Sequence, residues 1–522
     1  MAVPLPLPRP PVPSFSCPRF LLPPFPRLSF SRPATPSTAM ASTYRSYATI
    51  PDVEDPSING HQPSEQGFYQ NAPLTTAESR PGSTSHDDEE NTGYLDDAQA
   101  LLSDEGTSVA APVRSASFFS SFINLANTIM GSGMLGLPYA ISKNGLVLGP
   151  ILLVVSAFFS AFGLYLLVQC TDRLKQVGEK DTPSYYTCTR HSYPSLAVLV
   201  DAVVFVKCIG VAVSFLVIIG SLMPDIITFF FHIDPTSGSI WVSRAFWVLM
   251  WGLVIIPTAF LKQLNSLRFT SALALTAIIY LVGLVIVFFI REPHVPSTEL
   301  DLFRLDTSFF QVMTIYVFGY TCHQNIFSIY LEITNPSKGR INGVIGSSIG
   351  TALGVYTLIS LLGYIQFGSG IKDNIMNNYP TDNTAVTVGR IFLVILVAFS
   401  YALQSHPARI CADNLYQSFM RSAMKKEVGS LSQARFYIIT ISIIAVTFTI
   451  GALVEDLSKV LSFVGAIGST TMCYILPGVF FIKMHGGLFP LNTMKVLSVL
   501  AICIGCFVMP TALVFIFYTP PV

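Results

Sequence analysis

Two short strings in this sequence gather side chains suited to holding a small polar ligand. The first is Asn127-Thr128-Ile129-Met130-Gly131-Ser132-Gly133, and the second is Phe318-Gly319-Tyr320-Thr321-Cys322-His323-Gln324-Asn325. Each sets amide or hydroxyl groups, and in the second an imidazole, beside glycines within an otherwise apolar stretch. Glycine is about 1 kcal/mol worse than alanine in a helix, so such clusters interrupt helices and free backbone groups. N–H groups at a helix start attract anions, and carbonyls at a helix end attract cations. The chemistry this allows is capture of an anionic group such as a carboxylate. No Walker A string and no His-Glu-x-x-His occurs anywhere, so nothing points to a nucleotide-driven pump or a zinc hydrolase. A Cys-x-x-Cys at Cys503 and Cys506 has no His or Cys partner nearby, and reads as packing within a span.

The elements that position these strings are set by composition. The chain has 522 residues, 51% of them hydrophobic and only 11% charged, with a mean hydropathy of +0.56, which belongs in a lipid bilayer. Lys+Arg and Asp+Glu are balanced at 30 each, so the basic excess that a nucleic-acid partner needs is missing. A bilayer core about 30 Å thick takes roughly 20 apolar residues of helix. From Phe118 onward such runs recur about eleven times, near 118–141, 146–170, 196–230, 241–260, 270–290, 309–332, 341–366, 387–410, 436–454, 458–482 and 495–518. The expected fold is therefore all-α and polytopic. The third run is long enough to tilt or to turn near Pro224. With the N-terminus in the cytosol, fifteen Lys and Arg fall on the cytosolic side, among them Arg173, Lys175, Lys338, Arg340, Arg409 and Lys495. The opposite side receives seven: Lys143, Arg244, Arg291, Arg304, Lys372, Arg390 and Lys459. That bias favours a cytosolic N-terminus. No cysteine falls in a loop expected outside the cytosol, so no lumenal disulfide is expected.

Residues 1–114 form a separate region. They hold no long apolar run and are rich in Pro, Ser and Thr, so they are expected to be a disordered cytosolic tail. The early arginines, from Arg9 to Arg45, superficially suit a mitochondrial transit peptide. Pro4, Pro6, Pro8, Pro10, Pro11 and Pro13 would break the amphipathic helix that such a peptide needs. Farther on, Asp97-Ala-Gln-Ala-Leu101-Leu102 has the form of an acidic dileucine sorting signal, read by coat adaptors that send cargo to vacuoles or lysosomes. The membrane domain is taken as 115–522.

The sixth span lies five spans after the first, and each is interrupted at its centre. That offset is expected of an inverted five-plus-five repeat with ligand held where two discontinuous helices meet at mid-depth. Taken alone, the first string also suits close helix packing through small residues, and His323 alone suits a satisfied core histidine.

The strings Asn124-Leu-Ala-Asn-Thr-Ile-Met-Gly-Ser-Gly-Met-Leu-Gly-Leu-Pro-Tyr-Ala140, Tyr320-Thr-Cys-His-Gln-Asn-Ile-Phe-Ser-Ile-Tyr330 and Gln404-Ser-His-Pro-Ala-Arg409 resemble the amino acid/auxin permease family. The likeness is greatest to fungal-type vacuolar amino-acid transporters and to sodium-coupled neutral amino-acid transporters. The resemblance implies a leucine-transporter-like fold with broken helices 1 and 6, alternating access, no enzymatic activity and no cofactor. It further implies that the substrate carboxylate meets the backbone around Gly131, Ser132 and Gly133 beside Thr128. The ammonium would meet carbonyls from Phe318, Gly319, Tyr320 and Thr321, with His323 alongside. A sodium ion, if used, would lie near Asn127, Met130 and Ser400. A proton would need a titratable group: His323 has the intrinsic property, and Asp201, Lys207 and Glu332 are further possibilities. The expected function is proton-coupled transport of neutral amino acids across the vacuolar membrane. The alternatives are an amino-acid sensor whose tail recruits a signalling partner, and a sodium-coupled importer in the plasma membrane.

Overall fold

A computed structural model describes residues 116–518 except 180, 235–236, 262–267, 297–298, 426–428 and 430, with backbone alone at 268–273 and 518. The expected tail at 1–114, with Asp97, Leu101 and Leu102, lies outside the described residues. Within them the chain is almost entirely helical, and its β content is one isolated bridge between Ala116 and Ile333.

The first expected span is two helices, α1 (Phe118–Ile129) and α2 (Gly133–Asn144). It is followed by α3 (Leu148–Gln176), a short α4 (Tyr185–Ser192), α5 (Ala197–Phe231), α6 (Arg244–Ala259) and α7 (Arg268–Arg291). The sixth span is also split, into α8 (Thr307–Gly319), a 3-10 turn at His323–Asn325 and α9 (Ile326–Glu332). Then come α10 (Lys338–Phe367), α11 (Thr384–Met424), α12 (Gln433–Leu453), α13 (Leu457–Val464), α14 (Leu476–Met484) and α15 (Thr493–Tyr518). Two π-helical turns, Gly465–Ser469 and Thr471–Ile475, join α13 to α14. Eight described helices, counting α13 to α14 as one, are long and apolar enough to cross a bilayer. The 16-residue α6 is shorter, and the halves of spans one and six are each too short alone.

Local signals explain most boundaries. Ser117 caps α1 by accepting from the Ser120 amide at 3.1 Å. Asp306 caps α8 through the Ser308 amide at 2.9 Å, and Ser337 caps α10 through the Arg340 amide at 3.1 Å. Two expectations shift. Pro224 is carried inside α5, which runs unbroken for 35 residues. The eighth span, expected at 387–410, continues to Met424. Its polar extension is held by neighbours: Arg409 donates to the Ala259 carbonyl at 2.7 Å, and Asp413 pairs with Arg435 at 3.0 Å. Arg390, Arg409 and Lys495 prove to be buried and are not free loop charges. Removing them leaves the direction of the loop charge bias unchanged.

The packing sorts the helices into two groups. Spans one, two, six and seven (α1–α3 and α8–α10) pack on one another, while spans three, four, eight and nine (α5, α6, α11, α12) pack together around the α5–α11 pair. Each group pairs spans with the partners five places on, which is the relation an internal repeat requires. The chain enters α1 beside the exit of α9, with the Ala116 amide donating to the Glu332 carbonyl at 3.0 Å and the Thr334 amide to the Ala116 carbonyl at 2.9 Å. The start of span one and the end of span six thus share a face. The tenth span is 83% buried over its apolar window and the eleventh 28%, so the tenth belongs to the interior and α15 presents a broad apolar face outward. Cys503 and Cys506 lie exposed on that helix.

Candidate functional site

The first interruption runs from Met130 to Ser132. The Gly131 amide turns back to the Ile129 carbonyl at 2.9 Å, and α2 starts at Gly133 with no side-chain cap from Ser132. The Met134 and Leu135 amides bond back to the Gly131 and Ser132 carbonyls, each at 3.3 Å, which leaves the Ser132 and Gly133 amides as the positive end of α2. Space here is uneven. A Cβ added at Gly131 would meet nothing within 4 Å, whereas one at Gly133 would lie 3.1 Å from the Gly319 Cα and 3.2 Å from the Phe318 ring. Gly133 is thus the place where the two interruptions touch. Ser132 is buried, with its hydroxyl 3.3 Å from that of Ser214 on α5.

The second interruption follows Gly319. The amides of Tyr320 and Thr321 fold back to the carbonyls of Val317 (3.3 Å) and Phe318 (3.0 Å). Two hydroxyls from other spans then take the next carbonyls: Tyr356 on α10 donates to Gly319 at 2.8 Å, and Ser160 on α3 to Tyr320 at 2.9 Å. The Tyr356 hydroxyl also lies 2.7 Å from the Ile129 carbonyl as donor, so one side chain bridges the carbonyl ends of α1 and α8. A second bridge joins the halves directly, from the Asn325 side-chain amide to the Thr128 hydroxyl at 2.7 Å. Thr321 donates to the Val317 carbonyl at 3.1 Å.

The residues singled out from the sequence divide accordingly. Thr128, Gly131, Ser132, Gly133, Phe318, Gly319, Tyr320 and Thr321 all lie at or beside the meeting of the two interruptions. His323 is there too, fully buried, but turned toward α3: a Cβ at Gly163 would lie 2.8 Å from its Nε2. Neither ring nitrogen has a hydrogen bond of normal geometry. Ser400 is on another helix. It lies on α11, which packs chiefly on α5, α6, α7 and α12, while α1, which carries Asn127, packs chiefly on α10. Asp201 and Lys207 do not pair: Asp201 accepts from Asn414 at 3.4 Å, and Lys207 donates to Gln404 at 3.4 Å. Glu332 is exposed at the end of α9.

Three features were not foreseen. Tyr356 and Ser160 sit in long apolar helices, where one hydroxyl leaves no mark on the hydropathy. The π-helical turns of span ten bring Gly465 so close to α8 that a Cβ would meet the Thr314 carbonyl at 2.3 Å. The glycines of Gly465-Ala-Ile-Gly468 were the available signal, since π turns gather at functional sites. Gly346-Ser-Ser-Ile-Gly350 has the spacing of a hydrolase nucleophile elbow, yet it lies in the middle of α10. The elbow requires a strand-to-helix turn, and Ser348 merely donates to the Phe122 carbonyl at 3.2 Å.

An anion-attracting helix start thus abuts a carbonyl-lined helix end in the interior of a polytopic bundle. Residues 114–518 match the family model described as transmembrane amino acid transporter protein. The chain belongs to that family. Members are carriers, not catalysts. The chain is 41% identical to vacuolar amino acid transporter 5 of Schizosaccharomyces pombe over 370 residues, covering 70% of this chain and 83% of that one. It is 30% identical to vacuolar amino acid transporter 5 of Saccharomyces cerevisiae over 413 residues, 71% of this chain and 89% of that one. Among solved structures it is similar to MhsT in complex with L-phenylalanine, at 11% identity and a TM-score of 0.47, covering 75% of this chain and 98% of that one.

Proposed function

We propose that this family member moves neutral amino acids across the vacuolar membrane, coupled to protons, with the substrate held where spans one and six are interrupted. The observation that carries the reading is the contact of Gly133 with Phe318 and Gly319. It sets the open amides of α2 against the carbonyl end of α8, and a zwitterion is complementary to that pair of ends. The carboxylate goes to the Ser132 and Gly133 amides beside Gly131, whose own amide is held by the Ile129 carbonyl. The ammonium goes to the carbonyls between Phe318 and Thr321, sharing lone pairs that Tyr356 and Ser160 partly occupy. The vacuolar address is supported by the names of the two relatives above, and the dileucine-like string at Asp97, Leu101 and Leu102 would supply it through coat adaptors.

A proton is the coupling ion in this reading, because titratable side chains, His323 and Lys207, stand beside the second interruption. The rival is a sodium ion held by Asn127, Met130 and Ser400. Counterflow of labelled neutral amino acids into liposomes containing the purified protein tests the transport claim. Exchange of labelled substrate is expected, with basic and acidic amino acids competing poorly. Saturable binding without exchange would instead support a sensor.

A further inference from the structure

Lys207 has no ion-pair partner among the described residues. It lies on α5, is 4% exposed, and its ammonium has a single hydrogen bond, 3.4 Å to the side-chain carbonyl of Gln404 on α11. Among the described residues no carboxylate lies within ion-pairing distance of it. Asp201, on its own helix, is turned to Asn414. On α11, Arg409 is engaged by the Ala259 carbonyl and the Phe436 ring, and His406, two residues beyond Gln404, faces elsewhere by helix periodicity. The charged side chains of α4, α6, α12 and α13 are engaged away from it: Arg190 with Glu179 and Asp181, Arg244 with the Gly451 carbonyl, Arg435 with Asp413 and Lys459 with Asp456. Thiols surround it: Cys208 next to it on α5, Cys322 in the interruption of span six and Cys473 in the second π turn. The first π turn is moulded on its stem, since a Cβ at Gly468 would lie 2.5 Å from the Lys207 Cβ.

An ammonium has three donors, and one neutral acceptor inside a membrane protein compensates poorly for a buried charge. A clamp would be built more cheaply from an uncharged side chain. The arrangement suits a group whose charge is transient, placed where the α5–α11 pair meets span ten and the interruption of span six. We propose that Lys207 carries the coupling proton. Its amine gains a proton from water on the acidic side. On the other side an N–H bond of the ammonium breaks, the electron pair stays on nitrogen, and the proton passes to water. This inference rests on the proton-coupled reading given above, and it assigns the carrier to Lys207 instead of His323.

The test uses the full-length protein in liposomes and compares two readouts, accumulation driven by an imposed pH gradient and counterflow, which needs no gradient. Lys207→Met should lower gradient-driven accumulation relative to counterflow by about tenfold or more, the scale of a coupling between two ligands, and should flatten the pH dependence of counterflow. An unchanged ratio overturns the proposal. If Lys207→Met loses both readouts while remaining monodisperse, Lys207→Arg decides: arginine keeps the charge and does not deprotonate. Restored accumulation with arginine shows a structural clamp and overturns the proposal, and lost accumulation supports it. Absence of gradient-driven accumulation in the wild type would instead defeat the proton-coupled reading itself, so the two failures are distinct.

Discussion

Substitution at Gly133 probes the contact on which the site depends. A Cβ there would sit 3.1 Å from the Gly319 Cα and 3.2 Å from the Phe318 ring, closer than ordinary van der Waals contact. In Gly133→Ala the neighbours must yield by a few tenths of an ångström. The overpacking cost is about 1 kcal/mol, and it is largely offset by the gain of about 1 kcal/mol from replacing glycine in a helix. Thermal stability should therefore hardly change. Gly133→Val adds two methyl groups against the same backbone and ring, and valine gains less as a helix former. Its cost of about 1–3 kcal/mol corresponds to about 5- to 150-fold in any equilibrium that requires the two interruptions to close on one another. Counterflow of a labelled neutral amino acid in liposomes, with size-exclusion chromatography to confirm folding, reads the effect. Gly131→Ala is the control within the same interruption. Its Cβ meets nothing within 4 Å, so stability should be unchanged, while half-saturation for substrate should rise because the methyl group stands in open space beside the amides. Normal flux through Gly133→Val would refute the assignment of the substrate path.

Three further outcomes are expected. Tyr356→Phe removes the hydroxyl shared by the Ile129 and Gly319 carbonyls; leaving a buried acceptor unmet costs about 1–3 kcal/mol, so transport efficiency should fall with insertion intact, and an unchanged rate would mean that the bridge is dispensable. Asp373, in the loop before α11, has its carboxyl raised above the usual carboxylate range by burial first and by Asp456 second. A raised carboxyl favours the folded state when protonated, a stabilisation fully present below about pH 4 and lost as pH rises through the folded-state value. Melting measurements should show that loss, and Asp373→Asn should flatten it; an identical pH profile would disprove the effect. Finally, replacing Leu101 and Leu102 with alanine should move the protein from the vacuole to the cell surface, as seen by fluorescence microscopy, and unchanged location would dismiss the sorting signal.

Much of this was legible in the sequence because membrane helices must satisfy their own backbones. The spans show as apolar runs, and the two interruptions show because glycine and polar residues in mid-span are costly unless they serve a purpose. Gly131 to Gly133 and Phe318 to Thr321 were found in that way, and the structure brings them into contact. Side-chain partnerships across spans were not legible. Tyr356 bridges residues 227 and 37 positions away, and no local pattern reports such a link. His323 was recognised by its type, but its orientation toward Gly163 follows from the packing of α3. The continuation of α11 to Met424 was hidden because Arg409 and Asp413 read as the end of an apolar run, while their partners lie on other helices.

The most direct test of the central claim is uptake of a labelled neutral amino acid into liposomes bearing the purified protein, under a pH gradient or a sodium gradient alone. Accumulation under the pH gradient that reverses when the gradient is inverted, with none under sodium, is the predicted result. Accumulation driven by sodium at equal pH would contradict it.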